Sequence, residues 1–157
     1  MKVAAVGVDI TEIDRVEAAL GRFGERFLQR VFTPMEVAVC MGRKDNPRIS
    51  ELAARFAAKE AVMKALGTGA KGVAWREIEV LPNRRGKPLV YLHGRAKARA
   101  EKIDLTGLDI SLTHDGNLAI AMVVGQSRDL VGERDAWREE LAGYLRERGA
   151  LEWGRDD

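Results

Sequence analysis

Glu60 and Lys64 stand four residues apart in Arg55-Phe56-Ala57-Ala58-Lys59-Glu60-Ala61-Val62-Met63-Lys64-Ala65-Leu66, a stretch that otherwise reads as a core helix. At that spacing a carboxylate and an ammonium share one helix face, and a plain surface ion pair is one reading. The rest of the helix argues for more. Leu52, Phe56, Met63 and Leu66 fall within an arc of about 80°, and Lys59 falls inside it. The opposite side carries Ala53, Ala54, Ala57, Ala58, Ala61 and Ala65, a small-residue face suited to close packing. A helix buried on two sides is predicted, and charges on it are costly unless they are paired or bind an ion or ligand. Gly67-Thr68-Gly69 then ends the helix and is predicted to free backbone groups for phosphate contact.

A second carboxylate, Asp9, stands where a short apolar strand is predicted to meet a helix. It is either a helix cap or a ligand for a hard cation. Asp9 and Glu60 together are a sparse protein shell of the kind Mg²⁺ accepts, with waters and substrate phosphates supplying the remaining oxygens. Lys64, one turn beyond Glu60, would face the same phosphates as a point charge. His114 follows Ser111-Leu112-Thr113 at a predicted strand end, where a lone histidine is structural, exposed or part of a site. The sequence has no Walker phosphate loop and no G-x-S-x-G elbow, which argues against an ordinary nucleotide triphosphatase and a serine hydrolase. These signals together point to a Mg²⁺-dependent enzyme acting on a phosphate or pyrophosphate.

The elements that must position these groups are legible from periodicity. Val3 to Val8 reads as a buried strand ending at Asp9, followed by a helix capped by Thr11 with Asp14 in its first turn. Arg15 and Arg22, seven apart, share that helix's outer face, and Gly21 or Gly24 ends it. A short helix covers Glu25 to Arg30. Thr33-Pro34-Met35-Glu36 starts another, with a threonine cap, a first-turn proline and a glutamate three after the cap, and Gly42 ends it. A basic loop, residues 43 to 47, leads to the long helix, Ile49 to Leu66. Strands follow at Trp75 to Leu81 and Lys87 to Leu92, joined by a turn at Asn83 to Gly86, with Pro88 marking an edge or a late start. A charged helix, Arg95 to Ile103, precedes strands Leu108 to Thr113 and Leu118 to Val124 around Asp115-Gly116-Asn117.

Residues 126 to 157 differ in composition. Leu130, Trp137, Leu141, Tyr144 and Leu145 recur at helical spacing among arginines and glutamates. That describes an amphipathic extension that packs on the domain or meets another subunit. The expected division is a domain at 1–125 and this extension at 126–157. With 157 residues, 46% hydrophobic and 32% charged, the chain suits a soluble domain with a real core. No apolar run reaches the roughly 18 residues of a membrane span, and the N-terminal run is too short for a signal peptide. Cys40 is the single cysteine, which excludes an internal disulfide and favours the cytoplasm. A net charge of +2 is too small to argue for nucleic acid, but the bases concentrated between residues 22 and 102 favour an acidic or phosphorylated partner.

Three segments resemble the holo-[acyl-carrier-protein] synthases, the small type of 4′-phosphopantetheinyl transferase. They are Gly7-Val8-Asp9 with Arg15 six residues after the aspartate, Arg55 through Lys64 to Gly67-Thr68-Gly69, and Ser111-Leu112-Thr113-His114 followed by Ala119 and Ala121. The resemblance covers about residues 3 to 124. It implies transfer of the phosphopantetheine arm of coenzyme A to a serine of apo acyl carrier protein, with release of adenosine 3′,5′-bisphosphate, in fatty acid biosynthesis. It implies Asp9 and Glu60 as Mg²⁺ ligands and Lys64 as the group that steadies the pyrophosphate, so that Asp9, Glu60 and Lys64 form the catalytic set. Arg55, Lys64, Gly67, Thr68, Gly69, His114 and the Gly86-Lys87-Pro88 turn would contact coenzyme A. Arg15 and Arg22 would meet the acidic carrier protein. The implied fold is α+β, an antiparallel sheet from the N-terminal strand and two hairpins wrapped around the long helix, in a homotrimer with sites between subunits. The general base stays open between Glu60 and a water held by Asp9 or the metal. Thr113 stands where many relatives have serine, and the tail runs past the usual family end. The competing readings are a transferase for polyketide or peptide synthase carrier domains, a silent module that binds coenzyme A or a carrier protein, and a basic adaptor.

Overall fold

The computed structural model describes residues 3–126 and 131–151. Its centre is the long helix α4 (Ile49–Leu66), after the strand β1 (Val3–Glu12) and the helices α1 (Ile13–Phe23), α2 (Glu25–Val31) and α3 (Pro34–Cys40). Two hairpins follow, β2 (Ile78–Pro82) with β3 (Pro88–Leu92) and β4 (Gly107–Asp115) with β5 (Leu118–Gln126), separated by the helix α5 (Gly94–Lys102). The last element is the helix α6 (Val131–Glu147). The fold is α+β, as expected, with every named strand pair antiparallel. The strands form two sheets, β1-β5-β4 and β2-β3, and the two hairpins do not merge into one.

Both faces of α4 are covered. Ala53, Ala57, Ala58 and Ala61 are fully buried, as are Val62 and Leu66. The small-residue side admits the sheet closely. A Cβ added to Gly7 would stand 1.9 Å from the Ala61 carbonyl oxygen, so β1 lies directly on the helix backbone only because residue 7 is glycine. Two residues on, Asp9 points the same way, because side chains on a strand alternate.

The first strand differs from its expected form in two ways. It runs through Asp9 to Glu12, so Asp9 is a mid-strand residue. Thr11 does not cap α1. Its hydroxyl donates to Asp9 Oδ2 at 3.1 Å, and α1 starts after Glu12 without a side-chain cap. The pairing of β1 with β5 continues through Glu12 and Leu118, and this ladder outcompetes local capping. Nor is the strand buried on both sides. Val6, Val8 and Ile10 are 55%, 53% and 60% exposed, because only the side bearing Gly7, Asp9 and Thr11 faces α4. An unbroken apolar run signals two covered faces, and here the single chain covers one.

Other boundaries follow the turn chemistry. Gly24, with φ +57°, ends α1 and bonds back to the Leu20 carbonyl. Thr33 and Glu36 form the predicted capping box on α3. Met41, not Gly42, is the residue that closes α3. A short 3-10 turn at Trp75–Glu77 replaces the first residues of the expected strand, so β2 begins at Ile78.

The charges inside the core are structural. Lys59 is fully buried, and its ammonium donates to Glu36 Oε1 at 2.7 Å, to the Trp75 carbonyl at 3.0 Å and to the Ile78 carbonyl. Burial lowers the Lys59 pKa, and the facing Glu36 partly offsets that. Glu36 in turn accepts from Thr33 N–H at 3.0 Å and Val80 N–H at 3.1 Å. One lysine therefore ties α3, α4 and β2 together.

Glu79, like Glu36, is a fully buried carboxylate. Thr33 Oγ1 donates to it at 2.5 Å, Arg138 Nε at 2.5 Å, and His93 Nε2 lies 3.1 Å away. Burial alone would raise its pKa, but hydrogen bonds from His93, Arg138 and Thr33 outweigh that and hold it near about 2. The folded value lies below the unfolded one. The contribution is therefore complete above about pH 4.5 and is lost as pH falls towards about 2. Between pH 6 and pH 3 the wild type should lose about 2 kcal/mol more than Glu79→Gln in urea denaturation. Equal losses in the two proteins would show that Glu79 stays charged without benefit from the fold.

Arg138 belongs to α6, whose Leu141, Ala142 and Leu145 bury against Met35, Ala38, Leu81 and Tyr91. Of the two expectations for the extension, packing on the same chain is the one the structure shows. Tyr144 stays 47% exposed beneath the Arg148 guanidinium, and Leu130 lies outside the described residues.

Candidate active site

Asp9 and Glu60 come from elements far apart in sequence, and the close approach of β1 to α4 brings them together. Asp9 is buried, and Glu60 is half-buried on the helix beside it. Burial raises the Glu60 pKa, and the hydrogen bond to Asp9 and its negative charge raise it further, to about 7. Lys64 and Arg15 pull in the opposite direction. Lys64 Nζ bridges this corner, donating to Asp9 Oδ1 at 3.1 Å and to the Val8 carbonyl at 2.9 Å. The lysine thus pairs with Asp9 across the fold, whereas the sequence spacing pointed to Glu60. Its side chain is still 56% exposed, so the ammonium is open to a ligand.

Two carboxylates held side by side in one corner repel when both ionise. Hard oxygen donors of this kind fit a divalent cation such as Mg²⁺, which needs few protein ligands. Among the described residues no group of three or more His, Cys, Asp and Glu offers a fuller cage. The donor set therefore suits a metal that takes its other ligands from water and substrate.

A cleft of about 510 Å³ brings together a second set: Arg55, Gly86, Pro88, Thr113 and His114, with Arg48 at its edge. Arg55 is nearly buried and anchored, with Nε donating to the Val80 carbonyl at 3.0 Å and Nη1 pairing with Glu51 at 3.1 Å. His114 is exposed on the β4 side. Gly86, with φ +84°, shapes the β2–β3 turn, where an L side chain would be strained. Lys87 is not part of this lining. It pairs with Asp109 on β4 at 2.7 Å. Nothing in the sequence pattern singles out Arg48, although it adjoins the basic loop at residues 43 to 47.

Gly67, Thr68 and Gly69 lie at the other end of α4, one turn past Lys64. The Gly67 and Thr68 N–H groups do not stand free. They bond to the Lys64 and Met63 carbonyls at 3.1 Å and 3.2 Å, because the helix must satisfy its own last carbonyls. Arg99 also reaches this end, with Nε donating to the Leu66 carbonyl at 2.9 Å. Arg55 is about 140° around the helix from Glu60 and about 180° from Lys64. The cleft and the carboxylate corner thus occupy different sides of α4 within one chain.

Arg15 and Arg22 are exposed on α1. Beside them stands Phe23, 51% exposed, with the Arg22 guanidinium 5.0 Å above its ring. Sequence pattern gives no signal for Phe23, because a lone aromatic at a helix end belongs to no periodic stripe.

Residues 5–123 match the family model of the 4′-phosphopantetheinyl transferase superfamily. The chain is 49% identical over 126 residues to a holo-[acyl-carrier-protein] synthase of Herpetosiphon aurantiacus, an alignment covering 76% of this chain and 95% of that protein. It is 49% identical over 120 residues to the protein of the same name from Dehalococcoides mccartyi, covering 76% and 96%. Among solved structures, the Helicobacter pylori holo-[acyl-carrier-protein] synthase in complex with coenzyme A aligns with a TM-score of 0.68 at 33% identity, covering 77% of this chain and 99% of that one. The Neisseria meningitidis synthase aligns with a TM-score of 0.71 at 30% identity, covering 80% and 99%.

Proposed function

This chain belongs to the 4′-phosphopantetheinyl transferase superfamily and is a transferase of the holo-[acyl-carrier-protein] synthase kind, and we propose that Asp9, Glu60 and Lys64 form its transfer centre. The reaction moves the 4′-phosphopantetheine group of coenzyme A to a serine hydroxyl of apo acyl carrier protein, and adenosine 3′,5′-bisphosphate leaves. It serves fatty acid biosynthesis. The observation that carries the site assignment is the convergence of Asp9, Glu60 and the half-exposed Lys64 at one corner of α4.

Asp9 and Glu60 would hold Mg²⁺. When bound, the ion would neutralise charge on the pyrophosphate and make the phosphorus easier to attack. Lys64 already points into this corner and would offset the negative charge that grows on the departing phosphate. Thr11 and Val8 fix the other ends of these groups, so the centre is positioned before substrate arrives. The nucleophile belongs to the carrier protein, so this chain needs none of its own. Coenzyme A would lie along Arg55, Gly86, Pro88 and His114, with Lys87 turned to Asp109 beside this path, and Gly67, Thr68 and Gly69 would flank its phosphates beyond Lys64.

The carrier protein would dock on Arg15 and Arg22. That surface adjoins the transfer centre, since the Arg15 charge is felt at Glu60. Basic side chains there suit an acidic partner. The cell compartment in this reading is the cytoplasm. In support, Cys40 is the single cysteine, so the chain makes no internal disulfide. Among the described residues no helix is long and apolar enough to cross a membrane.

We read the working form as a homotrimer with sites between neighbours. Two observations support it. Val6, Val8, Ile10 and Met122 leave one apolar sheet face uncovered, and the cleft and the carboxylate corner point to different sides of α4. A neighbouring copy would cover the first and bring the second together. Val8→Glu is expected to convert the trimer to monomer in multi-angle light scattering and to lower transfer with it. A trimer that survives this substitution would remove that face from the interface.

The direct test of the reaction is intact-mass spectrometry of apo acyl carrier protein incubated with this chain, coenzyme A and Mg²⁺. The expected product carries one added phosphopantetheine group, and EDTA abolishes it. Absence of that gain with several carrier proteins and a folded sample would reduce the chain to a binding module.

A further inference from the structure

The helix α6 lies outside residues 5–123, which carry the family match. It nevertheless grips the turn that walls the cleft. Trp137 Nε1 donates to the Pro82 carbonyl at 3.1 Å. Glu140 pairs with Arg84, and the Arg84 guanidinium lies 5.1 Å above the Trp137 ring. Pro82 and Arg84 open the β2–β3 turn, and Pro82, Gly86 and Pro88 line the cleft together with Arg55 and His114. The helix therefore holds the back of a wall whose front lines the cleft.

Besides α6, the wall is tied at its base by Arg55 and Glu36 to Val80 and at its far end by Lys87, which pairs with Asp109 on β4 at 2.7 Å. Ile78, Val80 and Leu81 are buried, but residues 84 to 87 are exposed, and a two-stranded hairpin is marginally stable by itself. The turn's own bonds, such as Asn83 N–H to the Lys87 carbonyl at 2.8 Å, fix its shape but not its distance from His114. We propose that Trp137 is a positioning residue that sets the β2–β3 turn for coenzyme A through its bond to the Pro82 carbonyl. The inference rests on the reading of this cleft as the coenzyme A site. A wall held in place removes an ordering cost from binding. Such a gain is uniform across ground state and transition state, so it acts on KM and leaves kcat alone.

The test compares the full-length wild type with Trp137→Phe and Trp137→Ala, measuring kcat, KM for coenzyme A, KM for the carrier protein and Tm. Phenylalanine keeps the ring under Arg84 but loses the N–H. Loss of one such bond corresponds to about a fivefold rise in KM for coenzyme A. Alanine is expected to raise it further, with kcat and the carrier KM within about twofold of wild type. A lower Tm in folded Trp137→Phe with an unchanged KM for coenzyme A would show a merely structural contact and overturn the inference. Should the alanine variant fail to fold, the phenylalanine variant decides alone. A wild type that transfers nothing from coenzyme A overturns the reading of the cleft, and this inference with it. An active wild type with unaltered variants overturns only the role of Trp137.

Discussion

Glu60→Ala is expected to lower phosphopantetheine transfer by about 10³-fold or more while the protein keeps its fold. In the proposed centre, removing one of two carboxylates would leave Asp9 alone to hold the divalent ion, and electrostatic stabilisation worth several kcal/mol would go with it. The fold should survive because Glu60 is half-buried and makes none of the core ties that Lys59 makes. Glu60 is raised to about 7 by burial and by Asp9, so its removal also relieves repulsion in the folded state. Unfolding by urea should therefore be unchanged or slightly improved, while product mass disappears. Transfer within tenfold of wild type at saturating Mg²⁺ would take Glu60 out of the metal site.

Lys59→Met is expected to do the opposite, costing stability of about 3–5 kcal/mol rather than a specific step. The thioether fills most of the lysine's volume, so packing is nearly kept and the loss is electrostatic. Glu36 would remain fully buried with its negative charge unpaired, and the Trp75 and Ile78 carbonyls would each lose a donor. A second substitution, Glu36→Gln, should recover part of the loss, since the amide oxygen can still accept from the backbone at Thr33 or Val80. Urea denaturation of the two single variants and the double variant gives the coupling between the groups. A single Lys59→Met variant within about 1 kcal/mol of wild type would mean that Glu36 takes up a proton or water at little cost.

These two variants separate charges that look alike in the sequence. Lys59, Glu60 and Lys64 are close neighbours on one helix, and each is unusual for a buried segment. Lys59 lies within the apolar stripe and meets Glu36, which is itself the last member of a capping box recognised from Thr33-Pro34-Met35-Glu36. Glu60 and Lys64 lie round the helix, at the corner where β1 arrives. Periodicity placed Lys59 on the inner stripe but carried no signal for its partner, because Glu36 reads as an ordinary first-turn glutamate. The same blindness applied to Glu79. It alternates with Ile78 and Val80 as an outward strand residue should, yet it is fully buried because Arg138, 59 residues later, covers it.

Element identity was legible where local chemistry dominates. The long helix at Ile49–Leu66, the capping box and the turn around Gly116 follow from turn residues and period, which act over a few neighbours. Where the ladder between distant strands decides, local signals misled. Thr11 looked like a cap and Asp9 like a strand end, but pairing with Ala119 and Ala121 on β5 carried the strand past both.

By itself the sequence singled out the candidate groups, Asp9 at the first strand and Glu60, Lys64 and a glycine-rich stop on one helix, in the order and spacing of a known family. Those are properties of residue type and period, and they survive without coordinates. The tertiary structure alone decided that Lys64 answers Asp9, that Arg55 and His114 line one cleft on another side of α4, and that α6 reaches back to Glu79 and Pro82. Each of these depends on packing between segments tens of residues apart. Distances of that kind are set by how closely surfaces approach, as at Gly7 on Ala61, and not by anything that neighbouring residues encode.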